Sequence, residues 1–136
     1  MSIFDTMAIA ASGLTAERLR MDVSAANIAN AGTTRTAAGG PYQPESVVFS
    51  TATITPGGVA PGVTGVAIVT PNRTPVRTYD PANPDADAQG FVSYPDVDVA
   101  AEMADMMGAA RSYSLNSTVL QAAKQQALDS LEIGRG

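Results

Sequence analysis

Neither cysteine nor histidine occurs anywhere in the 136 residues. Their absence removes disulfides, thiolate nucleophiles, most zinc sites and every Ser-His-Asp or Cys-His arrangement. A chain without cysteine also passes between reducing and oxidising compartments chemically unchanged. Tryptophan is missing too, aromatic residues make up only 5 %, and much of the apolar remainder is alanine. Alanine favours helix but buries little area per residue, so one large compact core is not expected. No block of the chain is basic: the net charge of −5 divides as −1, −2 and −2 over residues 1–32, 33–96 and 97–136. The electrostatic footprint of a nucleic-acid binder is therefore missing, and an anionic membrane surface is no better matched. The single lysine, Lys124, lies in no G-x-x-x-x-G-K-[ST] loop, so nothing supports nucleotide chemistry. No run of about 18 apolar residues is present to span a bilayer. The start, Met1-Ser2-Ile3-Phe4-Asp5, has no positive region and the segment after it is broken by Ser, Thr and Gly, so it does not read as a signal peptide.

What is present is organised by proline. All nine prolines lie between Pro41 and Pro95. Proline inside a helix costs about 3 kcal/mol, so the two proline-free ends are candidate long helices. In the first, Met7, Leu14, Met21 and Ile28 recur every seven residues, with Ile3, Ala10, Ala11 and Ala25 at interleaved positions. Such a repeat keeps one seam on one face, as in a coiled coil. Glu17 and Arg18 intrude on that seam. The spacing predicts a helix over Ile3–Ala29, about 40 Å long. Asn30-Ala31-Gly32 is the predicted stop, because Asn and Gly tolerate the left-handed conformation that ends helices.

The second helix is predicted over Ala100–Glu132, about 50 Å long. Its seam alternates in steps of three and four through Met103, Met106, Ala110, Tyr113, Ser117, Leu120, Lys124, Ala127 and Leu131. Asp98 is the predicted N-cap, with Glu102 and Asp105 near the positive end of the helix dipole. Gly13 and Gly108 fall inside these helices, where each costs about 1 kcal/mol relative to Ala. Each is either a point of close helix approach or a tolerated weak spot.

Residues 33–96 differ in kind, holding every proline and seven of the twelve glycines. Ser46–Thr55 and Val63–Thr70 are β-branched and flank Pro56-Gly57-Gly58 and Pro61-Gly62, which predicts a hairpin. Val76–Tyr79 and Phe91–Tyr94 are weaker strand candidates. The acidic cluster Asp80, Asp85, Asp87, Asp96 and Asp98 sits among prolines with no apolar pocket to shift a pKa, so paired-carboxylate catalysis is not indicated. Asp85-Ala86-Asp87-Ala88-Gln89-Gly90, with Asp96 six positions on, is the calcium-loop alternative. Against it stand Gln at the fifth position, Asp at the twelfth, and prolines that forbid an entering helix. The methionines on both helices read as adaptable core residues.

The terminal segments carry a more specific resemblance. Ser12-Gly13-Leu14-Thr15-Ala16-Glu17, Met21-Asp22-Val23 and above all Asn27-Ile28-Ala29-Asn30 resemble the N-terminal signature of the flagellar rod, hook and hook-associated proteins. Val97-Asp98-Val99-Ala100-Ala101-Glu102-Met103, then Ala110-Arg111-Ser112-Tyr113 and Asn116, resemble the C-terminal stretch of the proximal-rod members. So do Pro41-Tyr42 with Val47-Val48-Phe49, and Tyr79-Asp80-Pro81 leading to Phe91-Val92. The order is preserved over nearly the whole chain, and an insert of 64 residues (33–96) is short, as in the proximal rod. Leu115 departs from the family, which commonly has Ala there.

The resemblance implies a non-enzymatic structural subunit with no cofactor or metal. Its fold would be mainly α: an antiparallel coiled coil of N-terminal (1–32) and C-terminal (97–136) helices with a β insert (33–96) between them. It implies a place in the basal-body rod of a bacterial flagellum, in the periplasmic space, as part of a drive shaft enclosing the export channel. The chain would arrive through the flagellar type III export apparatus without a cleaved signal. Partners would be other copies and other rod proteins, with no nucleic acid and no direct membrane insertion. The expected assembly interface comprises Met7, Leu14, Met21 and Ile28 facing Met103, Met106, Ala110, Tyr113, Leu120 and Leu131, with Asn27 and Asn30 tying the helix end.

Overall fold

A computed structural model describes residues 2–53 and 61–134. Helix α1 spans Ile3–Ala29 and α2 spans Val99–Ile133, within one residue of the predicted limits. The caps explain the starts. Ser2 Oγ accepts from the Phe4 amide while Asp5 Oδ2 accepts from the Ser2 amide, a reciprocal capping box. Asp98 Oδ1 accepts from Ala100 and Ala101 at 3.0 and 3.1 Å. The stop of α1 is made differently from expectation. Asn30 has φ −100°, and no described residue from Asn30 to Gly32 adopts positive φ. Instead Asn30 Nδ2 donates to the Ala26 carbonyl and Asn30 Oδ1 accepts from Thr33 Oγ1. A side chain thus satisfies the terminal carbonyl that a left-handed residue would otherwise have served.

Between the helices lie two antiparallel two-stranded sheets. Strands β1 (Ser46–Thr53) and β2 (Pro61–Val69) pair with a bulge after Ser50; the predicted Pro56-Gly57-Gly58 turn lies outside the described residues. Strands β3 (Val76–Tyr79) and β4 (Phe91–Tyr94) pair with each other. Tyr79 meets Phe91 edge-on at 5.4 Å, and Arg77 lies over the Phe91 ring. Gly90, at φ +82°, turns where a Cβ would come within 2.8 Å of Tyr79, so the close approach of that ring needs glycine there.

Helix α1 is the hub. It packs on α2 along its whole length and on β1 and β2, whereas α2 packs on α1 alone among the described elements. Two heptad seams of α1 are covered. One, through Met7, Ala10, Leu14, Met21, Ser24 and Ile28, meets α2; the other, through Ile9, Ala16, Leu19 and Val23, lies under the hairpin, where Ser12 Oγ accepts from the Val63 amide. The fully buried apolar side chains are all small: Ala10, Ala16, Val23, Val92, Ala109 and Ala123. Larger ones stay out, with Phe4, Leu115, Leu131 and Ile133 each two-thirds exposed or more. No helix of the described residues is long and apolar enough to cross a membrane.

Candidate assembly interface

The helix pair is antiparallel and held in strict heptad register. Gly13 faces Asn116 and Asn27 bonds to Glu102, so fourteen residues forward on α1 match fourteen back on α2. At the first point a Cβ on Gly13 would stand 2.7 Å from Asn116 Nδ2. Glycine here lets the helices close, and Ala10, Ala109 and Ala123 keep the rest of the seam thin. Gly108, by contrast, has nothing within 4 Å of its would-be Cβ. Of the two glycines, only Gly13 serves a close approach among the described residues.

The predicted α1 seam meets α2: Met7, Leu14, Met21 and Ile28 are all half-buried, and Glu17 shares that face with its side chain 16 % exposed. On α2 the contact face is displaced by one residue at alternate positions. Glu102, Ala109 and Ala123 turn inward where Met103, Ala110 and Lys124 were expected, Asn116 joins the half-buried Ser117, and Met106, Leu120 and Ala127 keep their places. Met103, Ala110, Tyr113 and Leu131 are exposed. Size is the physical reason. In this register Ala109 and Ala123 lie level with Met21 and Met7, and Met106 and Leu120 level with Ser24 and Ala10, so small side chains on one helix meet large ones on the other and the remaining bulky ones of α2 stay outward.

A polar clasp closes one end of the pair. Asn27, only 1 % exposed, spends its full bonding capacity. Its Nδ2 donates to the Glu45 carbonyl and to Glu102 Oε1, both at 2.8 Å. Its Oδ1 accepts from the Glu45 amide at 2.9 Å and from the Tyr42 hydroxyl at 3.0 Å. One side chain therefore joins α1, the entry to β1 and the first turn of α2. Burial, then the carboxylates of Glu45 and Glu102, push the Tyr42 hydroxyl above its ordinary pKa. Nearby, Arg20 pairs with Asp105 of α2 at 2.9 Å. Asn30 does not join this network; it caps α1 from outside. Glu102, Asn116 and Tyr42 are contributors that periodicity missed. A seam search weighs apolar residues, and the signal for these three is polar residues at seam spacing.

The acidic segment is spent on its own backbone. Asp87 Oδ1 accepts from the amides of Gln89 and Phe91, and Asp87 pairs with Arg77. These bonds, the Phe91 amide foremost, hold its carboxyl below the usual range. Asp85 is taken by Thr34 and Arg35. Among the described residues no three acidic side chains converge as a metal site. The two carboxylates with which a calcium loop would open are occupied by protein donors instead.

Comparison with known proteins follows this division of the chain. Residues 7–35 match the family described as flagella basal body rod protein, and residues 88–132 match the flagellar basal body rod FlgEFG protein C-terminal family. Over 99 % of its length the chain is 39 % identical to the flagellar basal-body rod protein FlgC of Escherichia coli O6:H1, covering 98 % of that protein. It is 37 % identical to the protein of that name in Borreliella burgdorferi over the full length of both, and 34 % identical to the one in Bacillus subtilis over 99 % of the chain and all of that protein.

Proposed function

Because the chain belongs to the flagellar basal-body rod protein family, of the FlgC type, and is a structural subunit without enzymatic activity, we propose that it builds the rod by burying the outer faces of its paired terminal helices against neighbours. The observation that carries this reading is the bare side of α2. Over 35 residues this helix buries one narrow seam, and Met103, Met107, Leu115, Val119, Leu128 and Leu131 stand exposed. Apolar area left in water contributes nothing to stability, whereas covering it is worth about 25 cal/mol per Å2. Neighbouring subunits supply that cover.

In this reading the neighbours are other copies and other rod proteins, and the site is the basal body, in the periplasmic space. The helices of 1–32 and 97–136 form the assembly core, with Met7, Leu14, Met21, Ile28, Met106 and Leu120 holding the pair together. Met103, Ala110, Tyr113 and Leu131 reach outward, and Asn27 and Asn30 set the helix end. The insert over 33–96 lies outside and sets lateral contacts. Stacked helix pairs of this length would enclose a channel and carry torque along their axes. Export through the flagellar type III apparatus, unfolded and without a cleaved signal, agrees with a cysteine-free chain whose buried core is alanine and valine. Folding would then be completed by assembly.

Genetic replacement tests the reading. A strain lacking the chain should build no hooks and should not swim, and the chain should restore both. Met103→Glu with Leu131→Glu should leave export intact but fail to restore motility. A deletion strain that still builds hooks and swims would end the rod assignment. Circular dichroism of the dilute chain tests the coupling of folding to assembly: incomplete helicity with a shallow melt is expected, and full helicity with a sharp melt would refute it.

A further inference from the structure

All the sulfur in this chain is thioether. Without cysteine, a two-electron oxidant finds sulfur only in the six methionines. A thioether reacts without the loss of a proton that a thiol must first undergo, so access decides which methionines are attacked.

Three of them fall within five residues of α2, and the fold divides them. Met106 turns into the helix seam and is half-buried. Met103 and Met107, one turn apart on one face, are 50 % and 58 % exposed. On α1, Met7 and Met21 are half-buried on the seam. The division is made where the pair is best tied. Asn27 bonds Glu102 at 2.8 Å and Arg20 pairs with Asp105 at 2.9 Å, at positions that bracket Met103 in sequence. These bonds fix how α2 is turned and keep Met103 and Met107 outside. The exposed α1 residues at that end, Asp22, Ala25 and Ala29, are too short to fold over them.

We propose that Met103 and Met107 form an oxidation site of the unassembled subunit, with hydrogen peroxide and related peroxides as the oxidant, and that their oxidation bars the subunit from the rod. A sulfur lone pair attacks one peroxide oxygen as the O–O bond breaks. The sulfur gives up two electrons and gains that oxygen. Its proton passes to the departing hydroxide, which leaves sulfoxide and water. The product sets a polar S–O group where an apolar thioether stood. In solvent that group is hydrated; under a neighbouring subunit it is a buried acceptor without a donor. The effect on assembly rests on the reading above, in which neighbours cover this face. The seam methionines are spared, so the oxidised subunit keeps its fold and loses its fit. Reduction of the two sulfoxides restores the face.

Fragment mass spectrometry of the full chain during exposure to hydrogen peroxide tests the site. Met103 and Met107 should each gain an oxygen about fivefold faster than Met106 and Met21, and denaturation in urea should bring the four to a common rate. Equal rates in the native chain overturn the proposal. The consequence is read as the number of hooks a strain builds with peroxide relative to its own number without it. That ratio should fall about tenfold with the unaltered chain and about twofold at most with Met103→Leu/Met107→Leu, which cannot be oxidised there. An equal fall in both strains overturns the proposal. Met103→Gln/Met107→Gln, polar as the sulfoxide is, should build few hooks even without peroxide while its circular dichroism is unchanged; a normal hook number overturns the proposal as well. Purified basal bodies separate the two readings. In them peroxide should leave both thioethers intact. Ready oxidation there, beside fast oxidation of the free chain, would sink the covered face and with it the bar to assembly. Slow oxidation of the free chain sinks the oxidation site alone.

Discussion

Gly13 and Asn116 face each other so closely that a single added methyl would stand 2.7 Å from the Asn116 amide nitrogen. Helix propensity favours Gly→Ala by about 1 kcal/mol, so this contact sets a gain against a clash. Gly13→Ala should therefore not stabilise the chain and should cost about 1 kcal/mol if Asn116 cannot turn aside. Gly13→Ala/Asn116→Ala should be more stable than Gly13→Ala alone, measured by urea unfolding.

Gly108→Ala should behave oppositely. Among the described residues nothing lies within 4 Å of a Cβ at that position, so the isolated protein should gain about 0.5–1 kcal/mol from propensity alone. A loss of stability in the same urea titration would show that an unrecognised contact occupies the site.

Asn27→Ala should be costly out of proportion to its size. It leaves the Glu45 carbonyl and amide, the Tyr42 hydroxyl and Glu102 without their shared partner. Buried groups left unpaired cost about 1–3 kcal/mol each, and partial access of water to this site should hold the total to about 2–4 kcal/mol. Hydrogen exchange should quicken first in the opening turn of α2 and at Glu45, both of which this clasp ties to α1.

The raised pKa of Tyr42 makes a prediction in alkali. Burial, with Glu45 and Glu102, keeps its proton on in the folded chain above the unfolded value of 10.0. The resulting stability is fully present below pH 10.0 and is lost as pH rises through the higher folded value. Tyr42→Phe should lower stability at neutral pH by about 1 kcal/mol through the lost bond to Asn27. It should also flatten the alkaline decline, as followed by unfolding at a series of pH values.

Asp87 makes the matching prediction in acid. The amides of Phe91 and Gln89, with Arg77, hold its carboxyl below 3.8. Its contribution is present above that value and lost as pH falls through the lower folded one. Amide exchange at Phe91 and Gln89 should quicken over that acidic interval, and Asp87→Ala should produce the quick exchange already at neutral pH.

The two helices were legible in the sequence because helix limits are local matters. Proline confinement, Asp98 at the cap of α2, and a seven-residue repeat act within a few residues of one another, and the structure follows them to within one residue. Strands Val76–Tyr79 and Phe91–Tyr94 were legible for the same reason, through β-branched and aromatic residues, although their pairing with each other was not. Pairing is a choice between distant segments, and short strands carry too little pattern to make it.

The tertiary structure alone decided which side of α2 faces α1. The repeat in α2 contains two adjacent seams, one rich in methionine and leucine and one built from Ala109, Asn116 and Ala123. Apolar content favours the first, but α1 presents Met7 and Met21 level with Ala123 and Ala109, and small residues at those two levels let the helices close. The sequence by itself determined two long helices, their limits and their family signature. Packing determined that the small seam goes inside, and so that the large apolar side chains remain outside for other subunits to bury.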